Sequence, residues 1–273
     1  MNKRKRNSLI VLLVSMLLGC ALFSGCSSDN LRIHFFKAGK ADACLITKGN
    51  SVVMIDTGEE SLSEELLNYF RNNGITRIDY LIITHFDKDH VGSAAAVIEN
   101  LEVTNVLQSN VPKDSDYYRN YVKTLNNKGI TPVTVSGNYE FVLSDIVFKV
   151  NGPEKIYEKD PSNNSSLITA FSYGDNSFIF MGDSENDRLK DYLLMDNEHY
   201  DLIKIPYHGH YQKQLGNVIE TFKPSYAIIT CSDEEKEDDK MRELLDSYAV
   251  VYWMTRLKEI DVYSDGKKVR VVQ

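Results

Sequence analysis

An apolar run in the middle of the chain leads directly into a cluster of potential metal ligands. Residues 80–84 read YLIIT, the composition of a strand that is buried on both faces. Two histidines and two aspartates follow in the next segment: His85, Asp87, Asp89 and His90. The first two alternate along an extended segment and can point the same way, while the last two lie beside the start of a predicted helix. Packing does not explain such a cluster, and we expect the loop to supply two adjacent metal positions.

Strand-like and helix-like segments alternate along residues 31–273. Three consecutive strands are predicted between residues 31 and 58, with a turn at Gly49-Asn50 between the second and the third. Apolar β-branched runs then alternate with helical patterns such as residues 61–74, and a second set arranged in the same way follows. Two sheets packed face to face with helices outside satisfy this order. The sequence therefore predicts an α/β fold, a four-layer αββα sandwich.

The length and charge of the chain exclude several classes of protein. With 273 residues, 42% of them hydrophobic, the chain can bury a full core and is neither disordered nor fibrous. The formal net charge is −8, and loss of the four basic residues near the N-terminus would leave it at −12. Such an acidic surface repels phosphate backbones, so tight nonspecific binding of nucleic acid is not expected without a local basic patch.

The N-terminal segment has the layout of a secretory signal. A basic stretch, KRKR, precedes an apolar run from Leu9 to Phe23, which small residues and a cysteine follow. Residues 1–26 are predicted to be a signal peptide with a lipobox that ends in the lipidated Cys26. One folded domain over residues 27–273 would remain. Cys20 is the other candidate, and an uncleaved anchor is the alternative, since roughly 15 apolar residues make a short span. Each interpretation predicts a protein at the extracellular face of the membrane or secreted from it.

Two cysteines and two histidines outside the ligand-rich loop have ordinary structural explanations. Cys44 and Cys231 each lie in a strand-like run and are predicted to be buried thiols, with a disulfide left open. His34 lies on the first strand and is predicted to be a structural histidine. His199 precedes a strand and is predicted to lie at the surface.

Five segments, in order, resemble one known family. The loop pattern HxDxDH after a buried strand is similar to the HxHxDH motif of the metallo-β-lactamase fold, with aspartate in place of the second histidine. FFKAGKADACLI with VVMIDTG, NNSSLITAF, FIFMGDSEND and YDLIKIPYHGH resemble segments of the subgroup related to the extracellular domain of ComEC competence proteins. The resemblance spans residues 33 to about 210. It implies that the αββα sandwich is of the metallo-β-lactamase type.

The resemblance implies a centre with two metals. Carried over position by position, it supplies six ligands, which are His85, Asp87, Asp89, His90, Asp183 and His208. The first two would bind the first metal and the next two the second, with Asp183 bridging the metals and His208 completing the second position. Both of these residues follow apolar runs at predicted strand ends, which agrees with the assignment. Paired cations activate a water for attack, and Asp89 is also a candidate catalytic residue.

Departures from the family pattern affect the first metal position. No histidine lies between His90 and His199, so a ligand that many metallo-β-lactamases supply from that interval is missing. Asn164, Ser166 or water is the candidate replacement. The expected cofactor is two divalent ions, of zinc or manganese. Because the first position is then rich in oxygen ligands, manganese is favoured there.

Five further residues near the motifs are candidates for supporting roles. Asp42 is predicted either to orient the metal ligands from behind or to cap a turn. His210 is a candidate catalytic residue that donates a proton to the leaving group or contacts phosphate, and Tyr207 is a candidate for contacting a substrate oxygen. For both, a loop position without chemistry is the alternative. Lys37 and Lys40 could attract a phosphate, although exposed lysines are common.

These features favour a secreted, membrane-anchored hydrolase of phosphodiester or phosphomonoester bonds that uses two metals and an activated water. Its substrate would be a small phosphoester or a nucleic acid, the lipid anchor would contact the membrane, and no protein partner is predicted. The alternative is a lipoprotein with a degenerate site that acts as a binding or scaffold module, because one histidine is missing. The HxDxDH variant argues against β-lactam hydrolysis.

Overall fold

The computed structural model describes residues 30–273. The predicted signal peptide and the lipidated cysteine, Cys26 or Cys20, lie outside the described residues, so their assignment stays a prediction. Across the described part of the chain, no helix has the length and apolarity that crossing a bilayer requires.

Fifteen strands and seven α-helices are present within residues 30–273. The strands are β1 (Leu31–Phe35), β2 (Ala43–Lys48), β3 (Ser51–Thr57), β4 (Arg77–Ile83), β5 (Glu102–Gln108), β6 (Val133–Thr134), β7 (Gly137–Leu143), β8 (Ile146–Gly152), β9 (Ile168–Tyr173), β10 (Asn176–Phe180), β11 (Leu202–Lys204), β12 (Tyr226–Ile229), β13 (Val251–Met254), β14 (Ile260–Ser264) and β15 (Val269–Val272). The helices are α1 (Ser63–Asn72), α2 (Lys88–Val91), α3 (Ala94–Asn100), α4 (Asp116–Lys128), α5 (Asn186–Tyr192), α6 (Leu215–Phe222) and α7 (Asp239–Ser247).

The strands form two sheets. The first has eight strands in the order β15-β14-β1-β2-β3-β4-β5-β6, and the second has seven in the order β13-β12-β11-β10-β9-β8-β7. Strands β3 to β6 run parallel in the first sheet, and β10 to β13 run parallel in the second. The remaining neighbours pair antiparallel. Each sheet therefore has one parallel half, and the parallel halves carry the predicted ligand loops.

Three apolar interfaces hold the layers together. Side chains of both sheets meet in a central core that includes Phe35, Phe148 and Phe178. Helices α1, α3 and α4 pack on the outer face of the first sheet, and α5, α6 and α7 pack on the outer face of the second. The order of layers is helix, sheet, sheet, helix, which confirms the predicted αββα sandwich.

The apolar composition of YLIIT follows from the position of β4 inside the sandwich. Successive side chains of a strand point to opposite faces of the sheet. Ile82 packs between the two sheets, whereas Leu81 and Ile83 pack beneath the helices of the first sheet. Both faces of β4 are therefore buried, and the polar residues begin where the strand leaves the core.

The helix predicted after the ligand-rich loop is divided in two. Asp89 and His90 lie inside the single turn α2, and α3 begins only at Ala94. A Cβ atom on Gly92 would come within 2.4 Å of the Lys88 carbonyl oxygen and 2.5 Å of the Glu60 amide nitrogen. Only glycine fits this close approach, which presses the ligand-rich loop against the backbone that leads into α1.

The cysteines and the histidines outside the loop lie where the sequence predicts them. Cys44 and Cys231 are buried free thiols, which confirms the prediction. His34 is buried, its Nδ1 lies 2.9 Å from Asp261 Oδ1, and its ring stacks on Tyr69 with the ring centroids 4.7 Å apart. The side chain of His199 is 57% exposed.

An ion pair links two neighbouring strands of the first sheet that are far apart in the sequence. Strand β14 pairs with β1, and there Asp261 accepts hydrogen bonds from Arg32 Nε at 2.8 Å and Arg32 Nη2 at 3.1 Å. Burial alone would raise the pKa of Asp261, but the hydrogen bonds from His34 and Arg32 lower it to about 2. His34 also faces Glu259 at 3.9 Å. The Asp261 carboxylate is therefore stabilised in its charged form.

We expect the contribution of Asp261 to stability to disappear in acid. Its pKa in the folded state lies below that in the unfolded state, so the stabilisation is present above about pH 4 and is lost as the pH falls towards 2. Asp261→Asn should lower the free energy of unfolding by about 1 kcal/mol at neutral pH, with a smaller difference near pH 3. Urea unfolding at several pH values measures this. Asp114→Asn, at a side chain that is 97% exposed, is the control, and an equal Asp261→Asn effect at every pH would contradict the expectation.

Candidate metal centre

Four strand ends carry polar side chains to one edge of the two sheets. Asp56 lies at the end of β3, His85 follows β4, Asp183 follows β10 and His208 follows β11. Strands β3 and β4 are parallel neighbours, as are β10 and β11. Because the carboxyl ends of parallel strands meet at the same edge of a sheet, the topology brings these side chains together.

Four of the six predicted ligands form a closed cluster. Asp89, His90, Asp183 and His208 each offer one ligand atom, and these atoms all lie within 4.8 Å of one another. His90 Nε2 is 3.3 Å from Asp183 Oδ1, and His208 Nε2 is 3.2 Å from Asp183 Oδ2. His208 Nε2 also lies 3.4 Å from Asp89 Oδ2. The Asp183 carboxylate therefore lies between the two imidazoles, with one oxygen towards each ring.

The unpaired atoms of this centre are those that a metal ion binds. Within residues 30–273, the Nε2 atoms of His85, His90 and His208 and the Oδ1 atom of Asp183 are buried and have no hydrogen-bond partner. Buried polar atoms are nearly always paired, so four unpaired atoms in one place indicate a ligand site. Imidazole nitrogen and carboxylate oxygen are ligands of zinc and manganese. The donor set therefore fits divalent cations.

Asp56, which the sequence analysis did not select, orients His90. It is fully buried, and its Oδ2 lies 2.7 Å from His90 Nδ1 and accepts a 2.6 Å hydrogen bond from Thr84 Oγ1. A carboxylate oxygen accepts hydrogen bonds, so Nδ1 carries a proton and Nε2 is the ring atom that faces the cluster. The signal was present in VVMIDTG, where a carboxylate ends an apolar strand as Asp183 does in FIFMGD.

Asp42 lies behind His208, as one of the two interpretations of this residue required. His208 Nδ1 donates to the Thr230 carbonyl oxygen at 3.0 Å, and Thr230 Oγ1 donates to Asp42 Oδ1 at 2.5 Å. Asp42 Oδ1 is also 3.6 Å from His208 Nδ1, and Asp42 Oδ2 is 3.9 Å from His90 Nδ1. The buried ammonium of Lys204 pairs with Asp42. The arrangement holds both rings with their Nε2 atoms towards the cluster.

The backbone at His208 is in a rare conformation. Tyr207 has φ = 51° and His208 has φ = 53°, which is the left-handed region. Residues with a Cβ atom seldom adopt this region, and those that do are concentrated at functional sites. The prediction of a ligand here from the segment YHGH is consistent with that strain.

Ser166 contacts two of the predicted ligands, whereas the side chain of Asn164 is hydrogen-bonded to the backbone around it. Ser166 Oγ lies 3.3 Å from His85 Nδ1 and accepts a 3.1 Å hydrogen bond from the Asp183 amide. The Asn164 amide donates to the Lys159 carbonyl oxygen at 2.9 Å, and its oxygen accepts from the backbone of Glu185 at 3.0 Å. These backbone contacts occupy the polar atoms of Asn164 and argue against it as the replacement ligand.

Asp87 has protein partners that the sequence did not reveal. Its Oδ1 lies 3.8 Å from His85 Nε2, and the same oxygen accepts hydrogen bonds from the Lys113 ammonium and the Ser162 hydroxyl. Burial alone would raise the pKa of Asp87, but His85, Lys113 and Ser162 lower it. The carboxylate is therefore ionised and already paired with a cationic side chain.

The electrostatic environment of His85 differs from that of His90 and His208. Burial opposes the charge on His90, but Asp183 and Asp56 raise the pKa of its ring well above the usual value. Burial, reinforced by His90, lowers the pKa of His85 to about 4. Burial also opposes the charge on His208, but Asp183, Asp89 and Asp42 raise the pKa of that ring to about 9. The pKa of Asp183 is held well below its usual value, because His208 and His90 outweigh its burial. Negative charge is thus concentrated between His90 and His208, where a cation would neutralise it.

The remaining predicted residues line the outer side of the centre. Lys40 Nζ lies 3.1 Å from Glu235 Oε2 and 6.0 Å from the centroid of the Tyr207 ring. The rings of Tyr207 and His210 are 5.0 Å apart, and His210 Nδ1 is 3.8 Å from Asp238 Oδ1. The Lys37 side chain is exposed. Lys40, Tyr207 and His210 therefore form a partly open group beside the buried ligands.

Comparison with known proteins identifies the family. The family model described as "Metallo-beta-lactamase superfamily" matches residues 37–229, which is more than half of the chain and includes all six predicted ligands. The chain belongs to the metallo-β-lactamase superfamily. The resemblance found in the sequence motifs is thereby confirmed, and the two sheets with their outer helices are the metallo-β-lactamase fold.

Individual metallo-β-lactamase relatives are distant. ComE operon protein 3 of Bacillus subtilis (strain 168) is 24% identical over 253 residues, covering 82% of this chain and 32% of that protein. The chain thus spans about a third of the length of this curated relative. The metallo-β-lactamase fold protein YhfI from Bacillus subtilis superposes with a TM-score of 0.58 at 10% identity, covering 89% of this chain and all of that chain. A diphosphatase from the PhnP family gives a TM-score of 0.51 at 11% identity, covering 86% of this chain and 98% of that chain.

Proposed function

We propose that this chain hydrolyses phosphodiester or phosphomonoester bonds with two divalent cations held at the described centre. The observation that carries the proposal is the set of four buried, unpaired ligand atoms, three imidazole Nε2 atoms and Asp183 Oδ1. When bound, paired cations would activate a water and neutralise charge on the attacking and departing oxygens, which suits phosphoryl chemistry. His85 and Asp87 would hold the first cation. Asp89, His90 and His208 would hold the second, with Asp183 between them.

The residues behind the ligands would keep this centre in place during turnover. Asp56 fixes the ring of His90, and Thr230 with Asp42 fixes the ring of His208. Such outer contacts set the tautomer of a ligating imidazole and its orientation. The rings of His85, His90 and His208 are buried, so the ligating imidazoles are held in place before a substrate binds.

The group of Lys40, Tyr207 and His210 would contact the substrate. Lys40 supplies positive charge beside a centre that is otherwise acidic, which suits a phosphate oxygen. His210, whose side chain is 30% exposed, is our candidate for donating a proton to the leaving group. The Tyr207 ring is close to both side chains and would donate its hydroxyl proton to a substrate oxygen.

The comparisons support a phosphoester substrate without deciding its size. One solved structure of similar fold is a diphosphatase, and the relative from Bacillus subtilis is named for the ComE operon. The net charge of −8 disfavours a long polynucleotide and favours a small phosphoester, while a nucleic-acid end or a short strand stays within the proposal.

Attachment of the protein to the outer face of the membrane is part of the proposal. The basic and apolar segments before Cys26 support a lipidated signal sequence, with Cys20 as the other candidate. Lipid attachment predicts that Cys26→Ala moves the protein out of the membrane fraction of cells. Unchanged fractionation of both the Cys26→Ala and the Cys20→Ala variants would contradict it.

A substrate panel tests the proposed chemistry. The full chain, stripped with a chelator and resupplied with Mn²⁺ or Zn²⁺, would be assayed on p-nitrophenyl phosphate, bis-p-nitrophenyl phosphate, single-stranded DNA, a lactone and nitrocefin. We expect metal-dependent hydrolysis of a phosphoester and none of nitrocefin. Lys40→Met should raise KM more than it lowers kcat, with the exposed Lys37→Met as the matched control. Turnover of the lactone or nitrocefin alone would contradict the proposed substrate class.

A second candidate function is that of a binding or scaffold module with a degenerate metal site. The observation in its favour is that Asp87, a ligand of the first position, is already paired with Lys113 and Ser162. This candidate predicts fewer than about one bound metal per chain after supplementation, and no hydrolysis of any substrate in the panel.

A further inference from the structure

The two metal positions differ in how their ligand atoms are used. At the second position, Asp89, His90, Asp183 and His208 converge within 4.8 Å, and no lysine or arginine is paired with them among the ion pairs of residues 30–273. At the first position, His85 and Asp87 do not join a comparable group of three or more ligands within the described chain. The two halves of the centre are therefore unequal before any ion binds.

Lys113 is paired with the Asp87 oxygen that would bind a cation at the first position. Asp87 Oδ1 is the carboxylate atom that faces His85 Nε2, at 3.8 Å. That same atom accepts hydrogen bonds from Lys113 Nζ and Ser162 Oγ. A cation shared by His85 and Asp87 would have to displace the lysine from this oxygen.

Charge reinforces the difference between the two positions. Besides Asp183, which the two positions would share, the first position offers one carboxylate, Asp87, and the Lys113 ammonium neutralises it. Asp89, the carboxylate that only the second position has, shows no lysine or arginine among its ion pairs within residues 30–273. An ammonium within a few ångströms of a divalent cation also repels it, and this repulsion is strong where the surroundings are partly buried. The side chain of Lys113 is 37% exposed, so it can move into water, although at a cost.

We propose that Lys113 controls occupancy of the first metal position, so that the centre binds one divalent cation tightly and a second one weakly. Lys113 lies in the loop between β5 and α4, and its side chain is 37% exposed. The ammonium supplies positive charge at the first position until the second cation arrives. The inference rests on the proposed function only in taking His85 and Asp87 as metal ligands.

Metal titration tests this inference without reference to activity. The full chain, stripped of metal, would be titrated with Mn²⁺ by calorimetry, and bound manganese would be counted after gel filtration. We expect two binding events in the wild-type protein, the second weaker by at least about tenfold. The weaker binding event fills the first metal position, beside Lys113. Lys113→Met should tighten this event by about tenfold, because the competing ammonium is gone. The tighter event, at the second metal position, should be unchanged.

Two further variants separate the ion pair from a general effect of charge. Lys113→Arg keeps a cation on Asp87 and should preserve the weak second event. Lys88→Met removes a charge one residue from Asp87, but Lys88 pairs with Glu59 at 2.9 Å and is 62% exposed. It should change the second affinity by less than about twofold. Thermal melting of each variant confirms that it is folded.

The outcomes distinguish the inference from the proposed function. Two equally tight events in the wild-type protein, or no change in Lys113→Met, would overturn the role of Lys113 while leaving a phosphoesterase intact. Absence of any bound Mn²⁺ or Zn²⁺ in all variants would overturn both. A weak second event that Lys113→Met strengthens and Lys113→Arg does not would establish the inference, whatever substrate the protein hydrolyses.

Discussion

Replacement of Asp183 by asparagine should lower kcat/KM for the phosphoester substrate by about 10³-fold or more. The two oxygens of Asp183 face His90 Nε2 at 3.3 Å and His208 Nε2 at 3.2 Å, both proposed ligands of the second cation, and in the proposal the carboxylate also reaches the first. Asparagine offers one oxygen and no charge, so it cannot link two cations. Steady-state kinetics at saturating Mn²⁺, with bound metal counted on the same sample, measures the loss.

The control for this substitution is another aspartate a few residues along the chain. Asp187 is exposed in the first turn of α5, and Asp187→Asn should leave both activity and metal content unchanged. Because His90 and His208 stabilise the Asp183 carboxylate, Asp183→Asn should lower the melting temperature of the metal-free protein, so thermal melting first establishes that the variant is folded at the assay temperature. Full metal content with full activity in Asp183→Asn would show that this carboxylate does not belong to the working centre.

Replacement of Lys204 by methionine should lower the free energy of unfolding by about 3–5 kcal/mol. Lys204 and its partner Asp42 are 3% and 9% exposed, and the ammonium contacts the carboxylate directly. Methionine fills a similar volume but leaves the Asp42 charge buried without its cationic partner. The destabilisation from an unpaired buried charge is larger than the net stabilisation that the intact ion pair provides. Urea unfolding of the metal-free protein measures the change.

Two comparisons isolate the buried charge as the cause. The double variant Asp42→Asn with Lys204→Met removes both charges and should recover part of the lost stability. Lys149→Met breaks an exposed pair with Glu198, whose side chains are 49% and 61% exposed, and should cost at most about 1 kcal/mol. A Lys204→Met effect no larger than that of Lys149→Met would contradict the buried-charge explanation.

The position of the ligand-rich loop could be predicted because its signal is local. An apolar strand that turns polar at its end must leave the core there, and YLIITHFDKDH shows this within a dozen residues. FIFMGD and DLIKIPYH repeat the pattern, so Asp183 and His208 could also be placed at strand ends. The alternation of strands and helices predicted the sandwich for the same reason, since each element carries its own periodicity.

The partners of these ligands could not be predicted from the same patterns. Asp42 and Lys204 are 162 positions apart, and Asp87 and Lys113 are 26 apart, without any periodic relation between them. Asn164 was selected by resemblance to a motif, but the structure shows its amide bonded to the backbone around it. A motif identifies a segment, and only the path of that segment in space shows which of its polar atoms remain free.

The sequence by itself determined the layers, the strand ends and the chemical types of the ligands, because hydrophobic periodicity and polar interruptions act over a few residues. Only the tertiary structure decided the partners of three site residues. Asp56 contacts His90, Lys204 pairs with Asp42, and Lys113 pairs with Asp87. Lys204 and Asp42 become neighbours only when the two sheets pack, whereas the other two contacts form when neighbouring strands of the first sheet bring their loops together. Their energies depend on burial and on distances of a few ångströms, which no local pattern specifies.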